Sequence, residues 1–380
     1  RFFYGEIQPL APNSIVQEEA LQPGYAVESA VFGSMDLNLT DRLKAYAGLR
    51  YSRFDNLGPA RVNLYNIPDG SSGFEEAFIV DSLLYRSGEI VNTWEGLEPR
   101  LALRYLVASS TSLKASYSKT RQYINQLSNT NTPSPVDMWA PANRYIRPQI
   151  GDQFSLGVFK SFMDGKVEGS LEGYYKLMQN QTEFKPLASL VLNNNLETEL
   201  LQGNGTSYGV ELLLRKLKGK TTGWVSYTLS RSELEVNGIN FNRPYPASFD
   251  RRHNMAVVLN YRANPQLQVA ANWVYSSGVA YTFPVGKYEK NGLLVPFYTS
   301  RNDFRLPPVH RLDLSVTFFR KMKPDSKNES SFNFSVYNAY YRKNTYAYIF
   351  RQSRADSSRT EVVKLYLFAI IPSFTYNFKF

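Results

Sequence analysis

Polar and apolar residues alternate strictly at the end of this chain. The residues of one parity are aromatic, and they are Phe374, Tyr376, Phe378 and Phe380. The residues of the other parity are polar, and they are Ser373, Thr375, Asn377 and Lys379. Because successive side chains of a strand point to opposite faces, this pattern predicts a strand with one aromatic face. Such a row is typical either of a terminal strand in a soluble sandwich or of a barrel strand that faces lipid.

Paired alternating segments continue this pattern through the chain. Tyr25–Leu39 and Leu43–Ser52 are separated by a short link and predict the first hairpin. The long connection that follows is predicted to carry strand extensions near Arg61–Tyr65 and Leu83–Val91. Eleven further strands complete a predicted set of thirteen. Two of them are Glu98–Ala108 and Thr111–Arg121. The other strands are marked by alternating apolar positions within Phe154–Val158, Val167–Tyr175, Tyr208–Leu214, Val225–Leu229, His253–Tyr261, Leu267–Tyr275 and His310–Phe318, by a strand from Phe332 that continues past Tyr340, and by the terminal strand.

The lengths of these segments decide between the soluble and the membrane interpretation. The strands run to about eleven to fifteen residues, whereas strands of soluble proteins have a mode of about five or six. Short turns alternate with long polar loops, as in outer-membrane barrels, in which the short turns are periplasmic and the long loops extracellular. The sequence therefore predicts an all-β fold, a transmembrane antiparallel up-and-down β-barrel. A soluble propeller would have shorter strands and a repeated blade motif.

Composition agrees with a barrel and excludes several other classes. The chain has 27 tyrosines and 24 phenylalanines, which suit strands and interfacial girdles. No apolar run is long enough to predict a membrane-spanning helix. Cysteine is absent, which excludes disulfides and thiolate metal sites. The net charge of +10 is spread along the chain without a compact basic motif, so no nucleic-acid partner is predicted.

The odd number of strands predicts that the barrel is incomplete in this sequence. Single-chain bacterial barrels have an even number of strands, and both of their ends lie on the same side. We therefore expect residues 1–380 to form the C-terminal portion of one barrel domain, with further strands and any lumen plug preceding Arg1. A miscounted strand is the alternative.

Several short segments at hairpin spacing carry a family resemblance. They are Ala47–Ser52, Leu97–Tyr105, Ser112–Tyr123, Gly205–Lys216, Phe249–Arg262, Pro307–Phe318, Asn333–Asn344 and Ile370–Phe380. With these segments the chain resembles the C-terminal barrel region of TonB-dependent outer-membrane receptors. The resemblance implies a barrel of about 22 strands, of which about nine are absent here. It also implies an N-terminal plug and a TonB box, with which such receptors import siderophores, cobalamin, oligosaccharides or peptides.

The resemblance further implies an environment and a set of partners. We expect the cell outer membrane, with lipid and lipopolysaccharide around the barrel, long loops outside, and short turns and the C-terminus in the periplasm. TonB would act through the absent N-terminal segments. The terminal aromatic row, Phe374, Tyr376, Phe378 and Phe380, resembles the signal that barrel-assembly machinery recognises.

Two groups of residues are candidates for recognition. Aromatic and basic side chains mix in two long loops, which suits sugars, peptides or anionic chelates, although loop self-packing also explains them. These loop residues are Trp139, Arg144, Tyr145, Arg147, Tyr281, Phe283, Tyr288 and Tyr298. A second group has the parity of the inner face and would bind a plug or substrate, or form ion pairs that hold the barrel in shape. It comprises Glu98, Arg100, Arg104, Glu211 and Arg215.

The sequence contains no pattern typical of an enzyme. Nucleophile-elbow, zinc-protease and P-loop motifs are absent, so we predict no catalytic residues, no cofactor and no metal site. His253 and His310 stand at strand starts and are interpreted as interfacial residues. The leading functional hypothesis is a TonB-dependent importer of a nutrient too large for porins. A scaffold barrel that holds surface lipoproteins or other partners is the rival, and a passive diffusion porin is the third possibility.

Overall fold

The protein is described from a computed structural model. The structure describes residues 6–7, 19–20, 23–66, 78–127, 138–185, 188, 193–290, 293–320, 329–353 and 359–379. Within these residues no helix is both long and apolar enough to cross a membrane.

Thirteen long strands form one antiparallel sheet in which strands adjacent in sequence are adjacent in space. A two-residue strand, Tyr245–Pro246, pairs with the strand Thr221–Glu235 as a fourteenth member of the sheet. The long strands are β1 Tyr25–Asn38, β2 Leu43–Leu57, β3 Ile90–Ala108, β4 Thr111–Gln122, β5 Gln149–Phe162, β6 Val167–Phe184, β7 Leu200–Lys216, β8 Thr221–Glu235, β9 His253–Asn264, β10 Leu267–Ser276, β11 Val309–Phe319, β12 Glu329–Tyr337 and β13 Ile371–Lys379. The prediction of thirteen long antiparallel strands is thus confirmed.

The two faces of the sheet differ as the alternation predicts. On the face called outer here, apolar side chains are exposed, among them Val31 at 67% and Leu101 at 50%. On the terminal strand Phe374, Tyr376 and Phe378 are 58%, 51% and 54% exposed, while Phe380 lies outside the described residues. The opposite, inner face carries the polar parity. Exposed apolar rows of this length need lipid to cover them, which is the environment of a membrane barrel.

The ends of the row of strands are β1 and β13. The terminal strand pairs with β12, where Phe334 lies opposite Phe374 and Phe332 opposite Tyr376. The predicted antiparallel up-and-down topology makes these two consecutive strands neighbours, as found here. Within the described residues, the far edges of β1 and β13 have no partner strand in the sheet.

The prediction that the strand from Phe332 continues past Tyr340 is wrong, because β12 ends at Tyr337. Asn338 and Tyr341 both adopt positive φ angles, of 55° and 58°, which depart from the extended backbone of a strand. The predicted strand extensions after β2 belong instead to a separate hairpin, Ala60–Asn66 with Phe78–Tyr85, and the ladder of β3 begins at Ile90.

Further hairpins stand on the long loops. They are Ile124–Leu127 with Met138–Pro141, Gly286–Lys290 with Leu293–Phe297, Ala347–Gln352 with Thr360–Leu365, and the two-residue pairs Ala280–Tyr281 with Phe304–Arg305 and Glu6–Ile7 with Glu19–Ala20. Two short 3₁₀ turns, Leu196–Glu199 and Asn240–Asn242, complete the elements.

The buried hydrophobic clusters lie at the long-loop end rather than along the strands. One cluster joins Leu127, Ala140 and Ile146, all from the connection between β4 and β5, to Leu200 at the start of β7. The second is larger and comprises Met178, Leu201, Leu234, Val236, Ile239, Tyr245 and Ala247. Because strand side chains face either lipid or the lumen, close packing between connections is what gives this end of the molecule a fixed shape.

Candidate ligand-binding site at the long-loop end

The connection between β4 and β5 folds over the inner face of the sheet. The ring of Tyr123 stacks on Phe54 with 5.1 Å between centroids, and its hydroxyl lies 2.8 Å from Ser52 Oγ. Phe54 and Ser52 have the inner parity of β2, so Tyr123 turns the chain inwards. The indole nitrogen of Trp94, also on the inner face, donates to the carbonyl of Asn143 over 3.0 Å.

A second tether fixes the same connection. The side-chain amide of Asn56 donates to the carbonyl of Ala142, whose own N–H donates to the carbonyl of Tyr123 over 2.6 Å. Ala142 is fully buried and Ile146 is 3% exposed. Residues 138–148 therefore form a fixed shelf, anchored to the wall of β2 and β3, and this segment is called the inner shelf below.

The inner shelf carries four of the predicted ligand residues, and they have different roles. Trp139 is 49% exposed, and Arg144 and Arg147 are also exposed. The backbone of Arg147 is held on both sides by Gln202, whose amide accepts from its N–H and donates to its carbonyl over 2.9 Å each. Tyr145 instead packs into the structure. The shelf therefore presents one indole and two guanidinium groups on an ordered backbone.

Tyr145 belongs to a junction of three connections. Its hydroxyl donates to the carbonyl of Asn63 over 2.8 Å, and its ring meets Tyr65 edge-on at 5.4 Å. The Tyr65 hydroxyl donates to Glu197 over 2.7 Å, and Asn63 donates to Asn195 over 2.7 Å. Burial raises the pKa of the Tyr145 hydroxyl. The pKa of the Tyr65 hydroxyl is raised mainly by burial and, as the next largest cause, by its hydrogen bond to Glu197. Both tyrosines remain neutral donors at physiological pH.

The second predicted aromatic group also divides into packed and exposed members. Phe283 contacts Tyr281 at 5.6 Å and Tyr348 at 5.8 Å between ring centroids. Burial raises the pKa of Tyr281, consistent with its place in this cluster. Tyr288 and Tyr298 are 49% and 43% exposed. Tyr281 and Phe283 thus join two loops, and Tyr288 and Tyr298 are the members that face solvent.

Two arginines that the sequence does not single out hold the loops together. Arg301 forms a 2.7 Å ion pair with Glu183, and its guanidinium lies 5.0 Å over the ring of Phe184. Arg305 ion-pairs with Asp250, which is 1% exposed and also accepts from the N–H of Ser232 over 2.6 Å. No local pattern marks these residues, because their partners lie far away in the chain.

The five predicted inner-face charges lie on the inner face of the sheet. Among the described residues, none of the five forms an ion pair with another of them. Glu98 is 5% exposed, accepts from Ser52 Oγ over 2.7 Å and lies 3.4 Å from Arg50. Arg104 lines an open groove of about 390 Å³ near the short-turn end of β4 to β6. The remaining members, Arg100, Glu211 and Arg215, are exposed on the same face.

The chemistry of this end favours ligand binding. Exposed guanidinium groups can pair with carboxylate or other anionic groups, and exposed rings can stack on planar ones. Within the described part of the chain, no three His, Asp or Glu side chains are grouped so as to hold a metal ion.

Comparison with known proteins agrees with this architecture. A family model described as TonB dependent receptor-like, beta-barrel matches residues 2–339. No curated protein sequence matches the chain. Similar solved structures include the siderophore receptor PiuA from Acinetobacter baumannii, with 15% identity, a TM-score of 0.56, and coverage of 96% of this chain and 45% of that one.

Two other similar structures give the same result. The ferripyoverdine receptor of Pseudomonas aeruginosa has 14% identity and a TM-score of 0.53, with 88% of this chain and 37% of that one covered. The FrpB iron transporter from Neisseria meningitidis has 13% identity and a TM-score of 0.54, with 96% and 46% covered. This chain therefore spans less than half of each of these structures, and at such identities the likeness concerns the fold. The family match over most of the chain shows that the protein belongs to the TonB-dependent receptor-like β-barrel family, whose members are outer-membrane receptors.

Proposed function

We propose that the protein forms part of an outer-membrane importer that captures a nutrient too large for porins and is energised through TonB. The observation that carries the proposal is the inner shelf. It places Trp139, Arg144 and Arg147 on an ordered backbone over the inner face of a receptor-family barrel. An ordered surface with one indole and two guanidinium groups can bind an anionic ligand, which passive diffusion does not require.

The orientation follows the rule for outer-membrane barrels. Their short turns lie in the periplasm and their long loops outside the cell. The inner shelf and the loops joined by Arg301 and Arg305 would then face the medium, and Phe380 would lie on the periplasmic side. TonB would act through N-terminal segments of the whole protein.

The ligand class follows from the exposed side chains. Two guanidinium groups and one indole suit an anionic ligand with planar groups, such as a siderophore chelate. Oligosaccharides, peptides and cobalamin-like ligands are the other classes that this family pattern admits. The names of the similar structures, a siderophore receptor, a ferripyoverdine receptor and an iron transporter, favour the chelate.

Uptake by intact cells tests this function. Deletion of the gene should abolish uptake of one ferric siderophore among a panel, and dissipation of the proton-motive force should have the same effect. The double variant Arg144→Ala with Arg147→Ala should weaken binding of that siderophore at least tenfold. Arg320→Ala removes an exposed cation at the short-turn end of β11 and should leave binding unchanged.

Two results would contradict the proposal. If deletion spared uptake of every candidate nutrient, the scaffold function would replace import. If uptake required the gene but survived loss of the proton-motive force, the protein would act as a diffusion porin.

A further inference from the structure

Backbone hydrogen bonds join the short turns of neighbouring strands into one edge. The N–H of Leu217 donates to the carbonyl of Lys166 over 2.8 Å, which joins the turn after β7 to the turn after β5. The N–H of Arg262, near the end of β9, donates to the carbonyl of Lys220 over 2.8 Å. Gly219, at the tip of the turn after β7, has a φ of 109°, which favours glycine. Residues 163–166, 216–220 and 262–266 are called the short-turn rim below.

Five exposed cations stand along this rim. They are Lys166, Lys216, Lys218, Lys220 and Arg262. Asp164 is the one acidic residue among the rim residues, so the rim is strongly positive. The cations follow one another across the adjacent strands β6 to β9, which are spaced about 4.8 Å apart. The rim therefore presents an extended row of positive charge on a backbone that is hydrogen-bonded from turn to turn.

The cations of the rim are not compensated within the chain. Among the residues that the structure describes, no carboxylate forms an ion pair with any of the five. Cations at the long-loop end differ, since Arg301 pairs with Glu183 at 2.7 Å and Arg53 with Asp55 at 2.9 Å. A row of cations without carboxylate partners is complementary to an anionic partner from outside the chain.

The residue types of the rim distinguish between a folded protein and a polymer as the partner. Four of the five cations are lysines, and Met163, at 72% exposed, is the one exposed large apolar side chain among the rim residues. Interfaces with folded proteins are depleted in lysine and depend on a few buried aromatic, aliphatic or arginine anchors. The composition of the rim therefore favours an extended polyanion.

The position of the rim distinguishes such a polymer from lipid headgroups. Val167 lies opposite both Phe162 and Lys216, so Lys216 is level with an outer-face ring that is 39% exposed. Exposed rings at strand ends are typical of the membrane interface. Lys218 and Lys220 follow in the turn after β7 and lie farther from the membrane than this ring.

We propose that the short-turn rim binds peptidoglycan through the free carboxylates of its peptide stems. Peptidoglycan is an extended polymer that repeats these carboxylates, so successive groups can pair with successive cations of the rim. Lysine suits such a partner, because its ammonium group is a compact charge on a flexible stem and requires no fixed two-oxygen geometry. The inference rests on the proposed orientation, in which the short turns face the periplasm, and does not depend on import.

Co-sedimentation of the full-length protein in detergent with purified sacculi tests the proposal. The sacculi are first freed of attached protein, so that peptidoglycan is the probe. The rim variant, Lys166→Gln with Lys218→Gln and Lys220→Gln, should weaken binding about tenfold, because exposed ion pairs contribute little singly but add over several contacts. Binding of the unaltered protein should fall as the salt concentration rises.

A matched variant and a modified probe serve as controls. The matched variant removes three exposed cations of the long-loop end and should leave binding unchanged; it is Arg61→Gln with Arg86→Gln and Lys364→Gln. Sacculi whose carboxylates have been converted to amides should bind the unaltered protein about tenfold more weakly. Heat-modifiable electrophoretic mobility reports whether each variant is folded.

Four outcomes would overturn the proposal. Three of them are equal sedimentation of the rim variant and the unaltered protein, equal weakening by both triple variants, and undiminished binding to the amidated sacculi. The fourth is equally strong, rim-dependent binding to phosphatidylglycerol vesicles, which would assign the rim to lipid headgroups. Because sedimentation involves no uptake, failure of peptidoglycan binding is distinguishable from failure of import.

Discussion

Arg301 and Glu183 form an ion pair with 2.7 Å between Nη2 and Oε2, across 118 residues of chain. Their side chains are 17% and 11% exposed, so the pair is largely shielded from water. The backbone N–H of Arg301 also donates a hydrogen bond to Oδ1 of Asn240 over 3.2 Å. One residue therefore joins the connection after β10 to the end of β6 and to the connection after β8.

Removal of Arg301 is expected to loosen these connections without unfolding the sheet. Removing one partner of a buried ion pair leaves an uncompensated charge and lowers stability by about 3 kcal/mol or more. In Arg301→Ala, hydrogen exchange of residues 181–185 and 240–250 should accelerate by roughly a hundredfold. Glu183→Gln should give a similar acceleration, and the double variant should add little to either single change.

An exposed ion pair provides the matched control for this experiment. Glu329 and Lys379 lie 3.9 Å apart with 72% and 75% of their side chains exposed, and such pairs contribute little. Glu329→Gln should leave the exchange of both loop segments unchanged. If amide exchange of residues 181–185 and 240–250 were as slow in Arg301→Ala as in the unaltered protein, the hydrophobic clusters alone would hold the loops.

The sheet could be predicted from the sequence because its determinants are local. Alternation with period two fixes which side chains face lipid, and short turns fix which strands are neighbours. The pairing of the terminal strand with β12 follows from such reasoning. The end of β12 was not predictable from the same pattern, because Tyr340 continues the alternation while Asn338 breaks it through contacts with Asp313, Arg342 and Ala369.

The loops were predictable only as places where recognition residues concentrate. Their shape depends on contacts such as that between Asn56 and Ala142, 86 residues apart, for which no periodic signal exists. Tyr145 and Trp139 illustrate the consequence. Both stand in one aromatic and basic loop, yet Tyr145 packs against Tyr65 and Asn63, while Trp139 is half exposed.

Loss of the Tyr123 side chain should release the inner shelf. Tyr123→Ala removes the stacking on Phe54 and the hydrogen bond to Ser52, at a cost of about 3 kcal/mol for a buried aromatic residue. Residues 138–148 should then exchange amide hydrogens at least tenfold faster. Tyr105→Ala removes an outer-face tyrosine that is 45% exposed, at the short-turn end, and should not alter this exchange. If amide exchange of residues 138–148 were unchanged in Tyr123→Ala, the contacts of Asn56 and Trp94 would be sufficient to hold the inner shelf.

Cysteine labelling should establish which end faces the medium. Residues 1–380 contain no cysteine, so a single thiol introduced among them reports one position. Arg144→Cys, on the inner shelf, should react with a membrane-impermeant maleimide on intact cells. Asp164→Cys, in the short turn between β5 and β6, should react only after the outer membrane is opened. The reverse pattern would contradict the orientation on which the proposed import depends.

The terminal aromatic row should determine how much protein reaches the membrane. Phe378 is 54% exposed on the outer face, and burying such a side chain in lipid contributes about 2 kcal/mol. Phe378→Ser should therefore lower the amount of heat-modifiable protein in outer-membrane fractions several-fold. Asn377→Ser alters the inner face of the same strand and serves as the control. Equal levels of the two variants would show that the row neither stabilises the terminal strand in lipid nor acts as an assembly signal.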